Sequence, residues 1–538
     1  MAWGLSGDQV TTGTVHLTLP GQTCRNTCVL PRFPSVAATT PSNTLVGTTG
    51  NDILTSPGSV STLVQGLQGN DTISLSLGTD WAEAGEGNDR IKTTAAIYSG
   101  SIEAGDGNDF VTALSPLLNG AYVGLNAGND SINFLGSSLN ATIGAGADND
   151  LLSLTGSTFT TSVINGGKGA DTFALATTTL VASTLQGGEG QDRIVATALT
   201  SDFSSFISAG KGTDSIVLGG GTATVAGGGL EDTITYVTAA GAAVIFGDAV
   251  DVTTEGTGTD GAADGADLIS MTAGFAGTTV YGAGGNDTIK FGTGSAAQIW
   301  GGNGADLISV ASTTAAISET TIDGGNGQDT ISLNRPTNSA LVLGGAGEDS
   351  IFLLSVSSTT GGSVNGGDGN DTISMIAAAD GLNTSTKIVT VDGGAGADLI
   401  GFNLTGGSFA AASNSAASSA LIGQVAYEVG DSIKLGSGLG VATAGANWLG
   451  AAPTVFVAGS ITAIDGFSTA VGSIAVFDSG DDLVIGIAAG AGQFVSINVI
   501  GGDDAIKTTV VGTAVAFNSS NFGFTLGQSN GSMTISFT

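Results

Sequence analysis

The chain has 538 residues, 90 of them glycine, and sets 12 Lys and Arg against 46 Asp and Glu for a formal charge of −34. That balance excludes a nucleic-acid backbone as partner, because phosphate contacts need clustered cations. A single histidine and two cysteines leave no material for a zinc centre or a His-Glu-x-x-His protease site.

Residues 1–43 are distinct from the body of the chain and read as an N-terminal arm. They show neither a basic start nor an apolar stretch of secretory type. His16, Cys24 and Cys28 all fall here. The two cysteines read equally as a small local disulfide or as two free thiols.

From residue 44 to 400 a glycine-rich acidic turn recurs about every twenty residues, each time running into a short alternating apolar segment. Gly366-Gly367-Asp368-Gly369-Asn370-Asp371-Thr372-Ile373-Ser374-Met375 is a well-formed example. The closing aspartates are Asp52, Asp71, Asp89, Asp109, Asp130, Asp150, Asp171, Asp192, Asp214, Asp232, Asp267, Asp287, Asp306, Asp329, Asp349, Asp371 and Asp398. Asn70, Asn88, Asn108, Asn286 and Asn370 precede five of them. The long step from Asp232 to Asp267 reads as an insertion, with a turn opening at Gly247-Asp248 and an acidic excursion before Asp267 closes it. The turns at 125–130 and 145–150 lack some of the glycines, so their sites are candidates for being empty.

A period near twenty is the signature of a solenoid. The alternation in Thr72-Ile73-Ser74-Leu75 or Thr330-Ile331-Ser332-Leu333 points one side chain inward and the next outward. One such repeat cannot bury its apolar side alone, but stacked repeats can. The expectation is an all-β, parallel β-roll or β-helix solenoid of about 17–18 coils of ~20 residues.

Glycines allow left-handed backbone angles that aim several carbonyl oxygens at one point, and the closing Asp adds a carboxylate. Calcium takes six to eight oxygens in flexible geometry, whereas magnesium demands a tight octahedron. Turn carbonyls and a closing carboxylate together can therefore supply a calcium site in each coil. The competing view is that glycine and aspartate only punctuate the turns.

Residues 401–538 leave the ladder. The uncharged run from Val441 to Ile464 is too poor in Leu and Ile for a membrane helix and reads as strands of a β-rich cap.

The turns resemble the Gly-Gly-x-Gly-x-Asp nonapeptide repeats of the RTX family. That resemblance implies a right-handed β-roll with calcium between successive coils, held by the closing aspartates, with Asp248 and the asparagines Asn70, Asn88, Asn108, Asn286 and Asn370 as further candidate ligands, the asparagines also suiting a turn-shaping role. The family carries the motif twice per coil, whereas this chain carries it once, so one row of calcium along one edge is expected, opposite a metal-free edge of Ser, Thr and Gly turns. Gly430-Asp431-Ser432-Ile433-Lys434-Leu435 and the segment from Val476 to Ile485 resemble the C-terminal region that caps the roll and carries a type I secretion signal. Export by that route to the cell surface is implied.

The one Gly-x-Ser-x-Gly match, Gly527 to Gly531, lacks a histidine to complete a Ser-His-Asp constellation, because His16 sits in the arm, so no enzyme is expected. The leading expectation is a calcium-dependent secreted structural protein that self-assembles as an S-layer, sheath or filament subunit. Its partners would be copies of itself, with a cell-surface polysaccharide as a further candidate. The alternative is a calcium-rigidified adhesin or an ice-binding surface module.

Overall fold

A computed structural model describes residues 41–403, apart from 114–115, 119, 239–240, 249–263, 272–274, 293, 311–318, 335–339, 357–361 and 378–388, and beyond these the strands between 419 and 537 named below. Every regular element described is a β-strand. His16, Cys24 and Cys28, and the side chains beyond residue 401, lie outside the described residues. No helix among the described residues is long and apolar enough to cross a membrane. The chain divides into two compact units, residues 1–230 with 248–264, and residues 231–247 with 265–538.

In the first unit each coil sends one strand into the glycine turn and another out of it. Inbound strands such as Thr62–Gln68, Trp81–Glu86, Ser101–Asp106 and Tyr122–Ala127 stack in parallel. Outbound strands such as Thr72–Leu75, Arg90–Thr93, Phe110–Ala113 and Ser131–Phe134 do the same. Six coils add a short return strand: Ile97–Tyr98, Leu117–Leu118, Ser137–Leu139, Thr158–Thr160, Thr179–Val181 and Thr200–Ser201. These form a third parallel sheet.

The alternation read from the sequence sets which side is buried. Ile73, Ile91, Val111 and Ile132 are in register and at most 1% exposed, so each coil lays a branched side chain on the one below. Full burial of such a side chain stabilises by about 1.5–3 kcal/mol, repeated once per strand per coil. The next inward position varies in size, and the return strand compensates. Small Ala113 accompanies Leu117, whereas large Phe134 accompanies Ser138, and all four are buried. Phe134 also meets Phe159 of the following coil at 5.3 Å between ring centroids. Constant volume per coil keeps the core dense while residue identities drift.

The second unit repeats the plan. Its inbound strands include Val244–Asp248, Thr279–Gly284, Gln298–Asn303, Thr321–Asn326 and Leu341–Ala346, all parallel. Outbound Thr233–Tyr236 pairs directly with Leu268–Met271. The outbound pairing therefore continues directly across the long step from Asp232 to Asp267.

After Leu399–Asn403 the pairing changes character. Ser419–Ala426 and Ser432–Leu435 still stack in parallel on the last turn-flanking strands. Beyond them, Ile474–Asp478, Asp482–Gly490 and Gln493–Ile500 pair antiparallel, as do Phe524–Ser529 and Ser532–Phe537. Asn447–Ala451 is a strand inside the uncharged run that the sequence assigned to β-structure.

Candidate metal centre

The closing aspartates point inward. Asp71, Asp130, Asp171 and Asp371 are each 1% exposed, deeper than a solvent-facing turn residue would be. In the first unit the backbone N–H of each closing Asp donates to Oδ1 of the Asp one coil on, from Asp52 to Asp214, at 2.6–2.8 Å. The second unit repeats this from Asp232 to Asp398 at 2.7–2.8 Å. Asp267 accepts from Asp232 across the 35-residue step, so it closes the turn that Gly247 opens. Asp248 ends its strand in a buried position and is not the closing residue.

The second oxygen has a different fate. Oδ2 of Asp71, Asp89, Asp109, Asp130, Asp150, Asp171, Asp192, Asp306, Asp329, Asp349 and Asp371 is buried without a hydrogen-bond partner. A buried carboxylate oxygen with no donor is costly, and native proteins rarely tolerate it. Here it recurs in eleven coils. Asp52 differs at the start of the ladder, where its Oδ2 accepts from the N–H and hydroxyl of Thr48 at 2.6 and 2.9 Å.

The first glycine of the turn explains what surrounds that oxygen. A Cβ at Gly166 would overlap both Oδ2 of Asp171 and the carbonyl oxygen of Gly187 in the next coil. Gly66, Gly187, Gly301, Gly324 and Gly366 show the same pair of a closing carboxylate and a next-coil carbonyl. Only a glycine hydrogen faces these two oxygens. Ala84, Ala104, Ala145 and Ala209 occupy the equivalent place in other coils and are fully buried.

Burial dominates the acidity of the ladder. It pushes Asp130 up to about 8; the N–H of Asp109 pulls the other way, and the charges of Asp109, Asp150 and Asp148 add to the rise. Asp150, Asp192, Asp329 and Asp349 are raised to about 7, and Asp109, Asp171, Asp214 and Asp306 to about 6, each chiefly by desolvation. A cation among the oxygens would remove the reason for those protons.

The residues present fit calcium. All the candidate donors are oxygens, and the unpartnered one lies beside a main-chain carbonyl. Among the described residues no three His, Cys, Asp or Glu side chains cluster closely enough to hold an ion alone. A site on this ladder therefore needs main-chain oxygens to complete it.

The asparagines form a separate, exposed ladder. The N–H of Asn88 donates to Oδ1 of Asn70, Asn108 to Asn88, Ala305 to Asn286 and Ala397 to Asn370, at 2.7–3.0 Å. Their oxygens are engaged in holding one turn on the next. The glycine-poor turns keep the same shape, with Asn126 at φ 77° and Asp148 at φ 74°, and the aspartate ladder runs through them unbroken.

The opposite edge is built of small residues. Thr62, Ser162, Ser183, Ser205, Thr278 and Thr320 are buried where the chain returns to the inbound sheet. Asp80 is the acid among them and is fully buried. It accepts from the Ser56 hydroxyl and from the N–H groups of Thr62, Ser76 and Leu77 at 2.6–3.2 Å. Sequence reasoning passed over Asp80, although its offset from the ladder frame was a visible signal.

Fold and site together define a class: a parallel β-solenoid whose acidic glycine turns stack a buried carboxylate row. Four stretches, residues 42–56, 61–91, 279–296 and 363–374, match the RTX calcium-binding nonapeptide repeat. Those four stretches are similar to RTX calcium-binding repeats. The intervening coils continue the same aspartate ladder. No curated protein matches the chain.

Proposed function

We propose that the protein is a calcium-dependent structural subunit that works outside the cell and assembles with copies of itself at the cell surface, as an S-layer, sheath or filament. The observation that carries this reading is the row of buried closing carboxylates with an unpartnered Oδ2. Calcium on that row would convert charge repulsion into cohesion and make metal binding part of the folding free energy. The ligands would be the closing aspartates from Asp71 to Asp398 with the neighbouring turn carbonyls, in one row on one edge. Asp52, Asp248 and the asparagines are accessory candidates. Support for export rests on the repeat family; residues 401–538 would cap the array and carry a type I signal.

The test is a calcium titration of chelator-treated protein followed by far-UV circular dichroism, with electron microscopy of the same samples. Gain of β-structure together with ordered sheets or fibres supports the reading. Folding without arrays removes the assembly part, and no response to calcium removes the ligand assignment.

One observation favours a calcium-rigidified surface-binding module as a second reading. Ser137, Thr158, Thr179 and Thr200 stand in register on the return sheet. The neighbouring register row, Leu118, Leu139, Thr160 and Val181, is mostly apolar. Thermal hysteresis measured on the calcium-loaded protein separates the two, since an ice-binding surface gives it and a lattice subunit does not.

A further inference from the structure

On the outer side of the inbound sheet of the first unit runs a groove of about 590 Å³ that crosses five coils. Its floor is a column of glycines in register, from Gly146 through Gly167, Gly188 and Gly210 to Gly228. No side chain rises from that column, so a ligand can lie against the backbone. Four coil steps of ~4.8 Å make the column on the order of 19 Å long.

The two walls differ in chemistry. Asn165, Gln186 and Ser208 stand in register on one side and present amide and hydroxyl groups at the coil spacing. Phe206 adds an aromatic surface beside them. On the other side Lys168, Glu189 and Lys211 are in register. Lys168 reaches Glu189 at 3.7 Å with both side chains more than half exposed, a pairing worth little. The groove thus holds two of the chain's 12 cations and carries a net positive charge in a protein of −34.

We propose that this groove binds an extended polysaccharide strand bearing carboxylates, such as a uronate-containing glycan. The periodic amides and hydroxyl suit sugar hydroxyl groups, and Phe206 suits the apolar face of a sugar ring. Lys168 and Lys211 select carboxylates by charge complementarity. A peptide strand is disfavoured, because the glycine column is paired within the sheet on both sides and offers no open edge. Two cations are too few to hold a nucleic-acid backbone. The site lies on the outer surface of the solenoid and does not depend on self-assembly.

The test is affinity electrophoresis of the full calcium-loaded chain through gels containing polygalacturonate or neutral dextran. The wild type should be retarded by polygalacturonate and not by dextran. The double charge reversal Lys168→Glu, Lys211→Glu should weaken binding about tenfold. Gln186→Ala, at an exposed position, should weaken it less, and the outbound-sheet control Lys92→Glu should leave it unchanged. Circular dichroism confirms that each variant is folded. No retardation of the wild type, equal retardation by dextran, or unaltered retardation of the double variant would overturn the proposal. The last result would assign the binding to calcium bridges elsewhere on the acidic surface. Failure of the chain to assemble into arrays leaves the result readable, because binding is scored on single chains.

Discussion

The backbone N–H of Asp109 donates to Oδ1 of Asp130 in the next coil at 2.7 Å, while Oδ2 of Asp130 has no partner. One carboxylate thus performs two separable tasks, joining coils through one oxygen and leaving the other for a cation. Substitution at Asp130 can separate them. Asp130→Asn keeps an acceptor for Asp109 and removes the charge. It should hold or raise stability in chelator and lose part of the stabilisation that calcium adds. Asp130→Ala strands a buried N–H and should cost about 1–3 kcal/mol in chelator as well. Urea unfolding with and without calcium distinguishes the two. As a reference, Asp80→Ala should destabilise equally in both conditions, since both Asp80 oxygens already serve protein donors.

The metal-free protein should lose stability as pH rises. Burial holds Asp109 and Asp171 at about 6, Asp150 and Asp192 at about 7 and Asp130 at about 8. The unfolded chain releases the same protons near pH 4. Between about pH 4 and 8 the native state therefore binds more protons than the unfolded state, so the free energy of unfolding falls with rising pH. Calcium competes for the carboxylates and should abolish or invert that slope, releasing protons as it binds. Thermal melts at intervals from pH 5 to 8, in chelator and in calcium, give both slopes. A chelated protein that grows more stable across this window would show that the ladder is not held protonated.

Much of this was legible in the sequence because it repeats in frame. Asp71, Asp89 and Asp109 recur in one place, and the alternation at Ile73 and Ile91 recurs beside them. The insertion between Asp232 and Asp267 could be bracketed because Gly247 kept the frame on schedule. What stayed hidden depends on register between coils. Nothing local says that Oδ1 and Oδ2 of one Asp face different partners, or that the Asn70 oxygen is taken by the N–H of Asn88. Lys168 and Lys211 are 43 positions apart in the sequence, and only the stacking of Glu189 between them places all three on one wall. The left-handed angle of Leu67, φ 83°, is likewise imposed by the stack against the preference of its side chain.

Adjacent glycines in one turn should respond differently to an added methyl. Gly167 has φ +108°, and a Cβ there would overlap the Gly146 carbonyl in the preceding coil. Gly167→Ala should lower stability by about 1–2 kcal/mol through the left-handed backbone, and further through the overlap with that carbonyl, with or without calcium. At Gly166 the methyl would meet Oδ2 of Asp171 and the Gly187 carbonyl, the two oxygens offered to the cation. Gly166→Ala should fold, as Ala84 and Ala104 do in their coils, but bind less calcium. Calorimetric titration gives the stoichiometry. Unchanged calcium binding by Gly166→Ala would move the ion away from this pair of oxygens.

In the second unit Phe246, Tyr281 and Trp300 occupy one register column and stack with centroid distances of 5.0 and 4.7 Å and interplanar angles of 10° and 7°. The column spans the coil that carries the insertion, where the turn is opened by Gly247 and closed only at Asp267. Parallel strands fix register through side chains as well as through the ladder, and flat rings at the coil spacing tolerate no slip. Each contact is worth about 0.5–1.5 kcal/mol beyond its buried area. Tyr281→Ala removes both contacts and should destabilise more than Trp300→Ala, which removes one. The double variant Tyr281→Ala, Trp300→Ala should cost less than the sum of the two, because the shared contact is counted once. Denaturant unfolding of the three variants in calcium measures this. Strict additivity would mean that the rings sit side by side without contributing to register.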